Sequence, residues 1–234
     1  MFKTIGIVPA RIGSKGVKQK NIKEISGKPL ITHTFDQIKK SRLIDDFIIS
    51  SDSDFINKIA KSYGAICNGI RPKHLADDKA LTIDVVKYEL NKIINLSENY
   101  THVMLLQPTC PLRQSNHIDQ CITKLKEGNG NSLISVVEAQ SHHPLRMKRI
   151  HNDKLFNYID TGYEDMRPRQ ELPKVYLRNG AVYLARIEDV ISLSTFSNPE
   201  CIPYIMSEED SVNIDSESDF FLAEYYLNKK TIDN

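Results

Sequence analysis

The chain has 234 residues, 40% of them hydrophobic and 26% charged, a balance that excludes a disordered or membrane-embedded protein. Lys and Arg total 31 against 30 for Asp and Glu. The formal net charge of +1 gives no global reason to expect a nucleic-acid or membrane partner, so any anion selectivity must come from a local cluster.

In chain order, Thr4 to Val8 is a compact apolar strand. Beyond a polar loop, Pro29 reads as a first-turn proline, and Leu30, Ile31, Phe35 and Ile38 recur at helical spacing. Phe47-Ile48-Ile49 is the next strand. Phe55, Ile56, Ile59, Ala60 and Tyr63 trace a helical face that Gly64 closes as a left-handed cap, and Ala65 to Cys67 is a short strand. Ile83, Val86, Leu90, Ile93 and Ile94 form another stripe. Val103 to Leu106 is a strand, Ile118 to Leu125 a helix capped by Ser115, and Leu133 to Val137 a further strand. Strands alternating with helices predict an α/β fold: a mainly parallel sheet covered on both faces.

From about Ala139 to Pro173 the rhythm breaks into a segment rich in His, Arg, Pro and Asp, which reads as an insertion or arm within one domain spanning 1–234. Alternation resumes at Gly180 to Leu184. Ser216 and Asp219 form a capping-box pattern, opening a last helix with Phe221, Leu222, Tyr225 and Tyr226 on one face. Met1 to Ala10 is too short an apolar run for a secretory signal. The four cysteines have neither CxxC spacing nor nearby histidines, so they read as reduced thiols of a cytoplasmic protein. Asn95-Leu96-Ser97 fits the glycosylation pattern, which carries no meaning without secretion.

The loop after the first strand is the segment richest in chemistry. Such loops lie at the carboxyl ends of the strands, where open α/β sheets bind ligands. Arg11, Lys15 and Lys20 place three cations on it, Ser14 adds a hydroxyl, and Gly13 and Gly16 let backbone amides approach closely. That composition suits a triphosphate. Neither GxxxxGK[ST] nor GxGxxG is present, which argues against a kinase-type P-loop and a dinucleotide enzyme.

The string Arg11-x-Gly13-Ser14-Lys15-Gly16-x-x-x-Lys20-Asn21, followed by Gly27-Lys28-Pro29-Leu30, resembles the signature of the acylneuraminate cytidylyltransferases. The resemblance continues through Ser50-Ser51-Asp52, Arg71-Pro72 to Asp78, Thr82-x-Asp84, Gln107-Pro108-Thr109-Cys110-Pro111-Leu112-Arg113, Arg169-Gln170-x-Leu172-Pro173, Asn179-Gly180-Ala181-x-Tyr183 and Ile214-Asp215 to Asp219. It implies a three-layer, Rossmann-like nucleotidyltransferase fold with a dimerisation arm at about 139–173. The implied reaction joins CTP and a nonulosonic (sialic acid-like) sugar into the CMP-sugar, with release of pyrophosphate.

The resemblance also implies roles. Arg11, Lys20 and Asp215 would be catalytic. Arg11, Gly13, Ser14, Lys15, Lys20, Asn21, Arg71 and Thr82 would bind the nucleotide, while Gln107, Arg169 and Tyr183 would face the sugar. Asp215 and Asn213 would hold Mg2+, and a homodimer is implied. Thr82 has the alternative of capping the helix that follows it, Asp215 that of assisting a helix start, and Arg113 reads as structural.

Two departures stand out. The family's Asp-Ile-Asp is Asn213-Ile214-Asp215 here, so one metal carboxylate has become an amide. The family also often has an arginine where this chain has Leu177, with Arg178 one place later. A one-residue shift in a strand reverses a side chain, so that arginine's role is not carried to Arg178. Legionaminic and pseudaminic acids therefore join N-acetylneuraminic acid as candidate sugars. Two rivals remain: a cytidylyltransferase for another acidic sugar, and a non-catalytic nucleotide-binding module.

Overall fold

The computed structural model describes residues 2–93, 100–139 and 142–232. The Asn95-Leu96-Ser97 match, and Ile94 of the third stripe, lie outside them. Strands β1 (Thr4–Pro9), β4 (Asp46–Ser50), β5 (Ile66–Cys67), β6 (His102–Leu105), β7 (Ser132–Glu138), β10 (Tyr176–Arg186) and β11 (Cys201–Ile205) form one sheet in the order β11-β7-β10-β6-β1-β4-β5. Among these, β10 alone runs antiparallel to its neighbours, so the expected mainly parallel sheet is present. The pairs β2 (Glu24–Ile25) with β3 (Lys28–Pro29), and β8 (Lys148–His151) with β9 (Lys154–Asn157), are small separate hairpins.

Helices α1 (Leu30–Lys40), α2 (Asp54–Ser62) and α4 (Ser115–Glu127) cover one face of the sheet. Ile31, Phe35, Ile56, Ala60, Ile118 and Cys121 pack there on Val8, Ile49 and Met104. Helices α3 (Thr82–Lys92) and α5 (Ile187–Leu193) cover the other, where Val86, Leu90 and Val190 meet Ile5, Ile7, Ile48 and Val103. Each large aliphatic side chain buried this way contributes about 1.5–3 kcal/mol. The result is the expected three-layer sandwich. None of the described helices is long and apolar enough to cross a membrane.

From β1 the chain builds outward through β4 and β5, then returns through α3 to β6 on the other side of β1. The reversal opens a crevice beyond the carboxyl ends of β1 and β6, the usual ligand position in such sheets. Helix α6 (Glu217–Ile232) closes one side by packing Phe220 and Ala223 against Val17, Ile25 and Leu30 near the opening loop. Its capping box is present: Asp219 N–H donates to Ser216 Oγ at 3.3 Å and Ser216 N–H to the Asp219 carboxylate at 2.8 Å.

Phe221, Leu222 and Tyr225 share a face of α6, which points to solvent because Phe220 and Ala223 fill the contact with the loop. Several local expectations are corrected. Phe55 is exposed, while Ile56 and Ala60 carry the buried face of α2. The cap of α4 is Gln114, in a reciprocal pair with His117, and Ser115 is the first helical residue. Likewise Leu81 caps α3, so Thr82 is not the cap. Pro29 precedes the first turn of α1 instead of sitting inside it. Gly64 has φ +87°, as its role as a helix stop requires.

After β7 the chain leaves the sheet, and the β8–β9 hairpin stands apart from it. The two-residue loop of this hairpin, Asn152-Asp153, has positive φ at both positions, the mirror-image turn that suits a twisted hairpin. Ile150 and Leu155 on its strands, and Met166 beyond, are 76%, 65% and 80% exposed.

The return strand β10 is not regular. Arg178 pairs with Val136 and Tyr183 with Ile134, so β10 advances five residues while β7 advances two. The bulge is pinned from inside: Val182 N–H donates to Ser135 Oγ at 2.7 Å, and Ser135 Oγ–H reaches Asn179 Oδ1 at 2.6 Å. Gly180, at φ +81°, makes the turn.

Candidate active site

The loop after β1 is held by its own polar groups and by neighbours. Ile12 N–H donates to the Asp52 carboxylate at 2.8 Å, and Asn21 Nδ2 donates to the Arg11 carbonyl at 2.8 Å. Ser14 Oγ accepts from Lys20 N–H at 2.9 Å and donates to the Val17 carbonyl. Ser14 and Asn21 therefore spend polar groups on shaping the loop. The loop in turn docks on the segment before α6: a Cβ built on Gly16 would lie 1.9 Å from the Asp215 carbonyl oxygen. Only glycine permits that approach. Lys20 Nζ donates to the Ile214 carbonyl and lies 3.4 Å from Asp215 Oδ1.

A cavity of about 330 Å³ opens between this loop, the 71–82 segment, the end of β6 and Asp215. Arg11, Ser14, Lys15, Lys20, Asn21, Arg71, Thr82, Gln107 and Asp215 all line it. Nine residues expected on sequence grounds thus converge. Arg71 is 4% exposed, its backbone N–H donates to the Ser51 carbonyl at 2.8 Å, and its Nε has no partner. Burial pushes its pKa down, while Asp52 and Glu89 oppose that shift. Arg71 thus places a cation in the cavity wall, while its Nε is itself enclosed by protein.

Sequence reasoning left Asp78 without a role, although it lies inside a quoted motif. Its carboxylate bridges Arg11 at 2.6 Å and Lys15 at 2.7 Å, and the bonds from Lys15 and Arg11 hold its pKa below the usual carboxylate range. Two of the loop cations therefore share one carboxylate, which offsets one of their two charges.

The remaining expected residues lie elsewhere. Gly13 is exposed on the loop, and a Cβ there would meet nothing within 4 Å, so close backbone approach does not require glycine at this position. Asn213 does not line the cavity. Its Oδ1 lies 3.8 Å from the Cys110 thiol, a fully buried group whose pKa burial pushes up to about 11. Arg169 lines a separate cavity at the base of the arm with Glu138 and His143, and no residue is common to it and the central one. Tyr183 lines a third cavity that adjoins the central one through Thr82 and Gln107, and Arg178 lies in that same cavity. Leu177 and Arg178 pair in regular register with Val137 and Val136, ahead of the bulge, so they face opposite sides as expected, and Arg178 shares its cavity with Tyr183 because of the bulge that follows it.

Behind this wall, Arg113 is 1% exposed and donates to the carbonyls of Gln107 at 3.2 Å and Ala181 at 2.7 Å, and to Thr34 Oγ1 at 2.8 Å. It is structural, as expected. Gly180 completes the fit: a Cβ there would lie 2.8 Å from Gln107 Oε1.

The donor set suits a hard divalent cation modestly. Asp215 offers an exposed carboxylate at the cavity, and magnesium characteristically takes one or two carboxylates together with substrate phosphates and water. Among the described residues, no group of three or more His, Cys, Asp or Glu forms a protein-only metal cage.

Residues 5–219 match the profile of the cytidylyltransferases. The chain is 33% identical over 229 residues to an N-acylneuraminate cytidylyltransferase of Escherichia coli, covering 97% of this chain and 53% of that protein. It is 29% identical to a CMP-N,N'-diacetyllegionaminic acid synthase of Legionella pneumophila, covering 95% of each. The chain thus spans about half the length of the first relative and nearly all of the second. Among solved structures, a CMP:2-keto-3-deoxy-manno-octonic acid synthetase in complex with CTP superposes with a TM-score of 0.70 at 13% identity, covering 97% of this chain and 99% of that one, which establishes the shared fold. On the match over residues 5–219, and on its full-length agreement in fold, the chain belongs to the cytidylyltransferase family.

Proposed function

We propose that the chain transfers the cytidylyl group of CTP to a nonulosonic acid of the N-acetylneuraminic, legionaminic or pseudaminic type. The observation that carries this reading is the convergence of Arg11, Lys15, Lys20 and Arg71 with Gln107 and Asp215 on one cavity. The sugar's anomeric hydroxyl attacks the α-phosphorus, and the bond to the β-phosphate oxygen breaks to release pyrophosphate. Phosphoryl chemistry of this kind depends on positioning and on neutralising phosphate charge. Arg11, Lys15 and Lys20 supply that neutralisation, and Arg71 adds a further cation to the wall of the nucleotide cavity. Mg2+ would be held by Asp215 and phosphate oxygens, and would supply further neutralisation when bound.

The test is pyrophosphate release from CTP and Mg2+ with a panel of N-acetylneuraminic, legionaminic, pseudaminic and octulosonic acids. Turnover with one nonulosonic acid, abolished by chelation and strongly reduced in Asp215→Asn, is the expected result. Selective turnover of the octulosonic acid would reassign the sugar class. Silence with intact CTP binding would favour a non-catalytic nucleotide-binding module.

A second expected outcome concerns Asp78. The triphosphate must displace its carboxylate from Arg11 and Lys15, so Asp78→Asn should lower the KM for CTP by about 2- to 5-fold and steepen its salt dependence, since the competing ion pairs that salt also screens are gone, in keeping with the modest strength of exposed ion pairs. A raised KM would show instead that Asp78 holds the cations in their working positions. The reading extends to a homodimer formed through the arm. Its exposed Ile150, Leu155, Tyr163 and Met166 support this, because such a concentration of apolar surface suits an interface.

A further inference from the structure

We infer that Arg178 is the residue that holds the carboxylate of the acidic sugar, from the cavity next to the nucleotide site. The inference rests on the proposed reaction and adds to it a residue with a stated role. The cavity, of about 240 Å³, shares Thr82 and Gln107 with the central one, so a molecule lying in it would reach the reacting phosphate. Its lining includes Arg178 as a cation and no acidic residue. Tyr183 and Phe196 form an apolar wall with ring centroids 5.9 Å apart, and Ser197 adds a hydroxyl. One cation, hydroxyls and an aromatic wall match a carboxylate, a polyol and an acyl group on one ligand.

The backbone explains why Arg178 reaches this position. In a regular strand, residues five apart face opposite sides of the sheet. The bulge around Asn179-Gly180-Ala181, pinned by Ser135, brings Arg178 and Tyr183 into the same cavity. The two are close enough for the Arg178 charge to act on the Tyr183 phenol. Arg169, the arginine the family resemblance puts forward, lies in a cavity at the base of the arm with no wall in common.

The experiment compares the wild-type chain, Arg178→Gln, Arg178→Lys and Arg169→Gln. Binding of each sugar acid and of its methyl ester is measured by saturation-transfer NMR, alongside pyrophosphate release and CTP affinity. Arg178→Gln should weaken binding of the acid by about 30-fold, the range of a charge-assisted contact, and leave CTP affinity within about twofold. The ester should bind the wild type about as weakly as the acid binds Arg178→Gln, with no further loss in the variant, because the missing charges are the two halves of one contact. Arg178→Lys should recover part of the loss.

Equal weakening of acid and ester, a loss confined to CTP, an effect carried by Arg169→Gln instead, or a wild type that binds none of the acids would each overturn the assignment. A wild type that binds an acid but releases no pyrophosphate would overturn the proposed reaction while the acid-against-ester comparison still decides Arg178.

Discussion

Gly16→Ala is expected to reduce pyrophosphate release by about 100-fold or more without unfolding the protein. The added Cβ would meet the Asp215 carbonyl oxygen at 1.9 Å, a backbone atom with no rotamer to yield, so either the loop or the 213–216 segment must move. Displacement of order 1 Å between the loop cations and Asp215 is enough for a loss of that size. Because the obstacle is main chain, truncating the Asp215 side chain in the Gly16→Ala background should restore nothing. Far-UV circular dichroism should be unchanged, since neither segment belongs to the sheet. Wild-type turnover by Gly16→Ala would mean that the loop does not dock on Asp215 in solution.

Arg113→Met should be the most damaging of these substitutions for stability. Arg113 satisfies three buried acceptors, the carbonyls of Gln107 and Ala181 and the hydroxyl of Thr34. A buried acceptor left without a donor costs about 1–3 kcal/mol. Removing the cation also relieves its own desolvation, which already pushes its pKa down to about 10. The net loss should be about 3 kcal/mol, equivalent to about 6–12 °C in Tm for a protein of this size. Arg113→Lys should recover little, because one ammonium cannot match the planar fork. An unchanged thermal midpoint in Arg113→Met would show that Gln107 and β10 are tied together by other means.

The α/β class and most sheet strands were legible because short apolar runs alternating with helical stripes leave few other solutions. The opening loop was legible for a different reason: its cations and glycines are contiguous, so no long-range contact is needed to see them together. What escaped depends on partners far along the chain. Strand β11 contains Pro203, which weakens any strand reading and is tolerated because this strand lies at the sheet edge. The outward direction of the α6 stripe is not legible because Phe220 and Phe221 are adjacent and only the loop decides which of them is buried. The place of Arg178 depends on a bulge pinned by Ser135 from another strand, which no pattern within residues 176–186 reveals. The bridging role of Asp78 is likewise a matter of where two side chains from another segment end up.

The docking of α6 on the opening loop has a thermodynamic consequence. Lys20 and Asp215, which face one cavity, are separated by 195 residues, and Lys23 with Glu217 and Ser26 with Glu224 extend the same seam. A ligand gripped by Lys20 and Asp215 together binds only those molecules in which the seam is closed. Its apparent affinity is therefore the intrinsic one multiplied by the closed fraction, and whatever frays α6 weakens nucleotide binding without touching a contact residue. By the same linkage, saturating nucleotide should slow proteolytic trimming of α6.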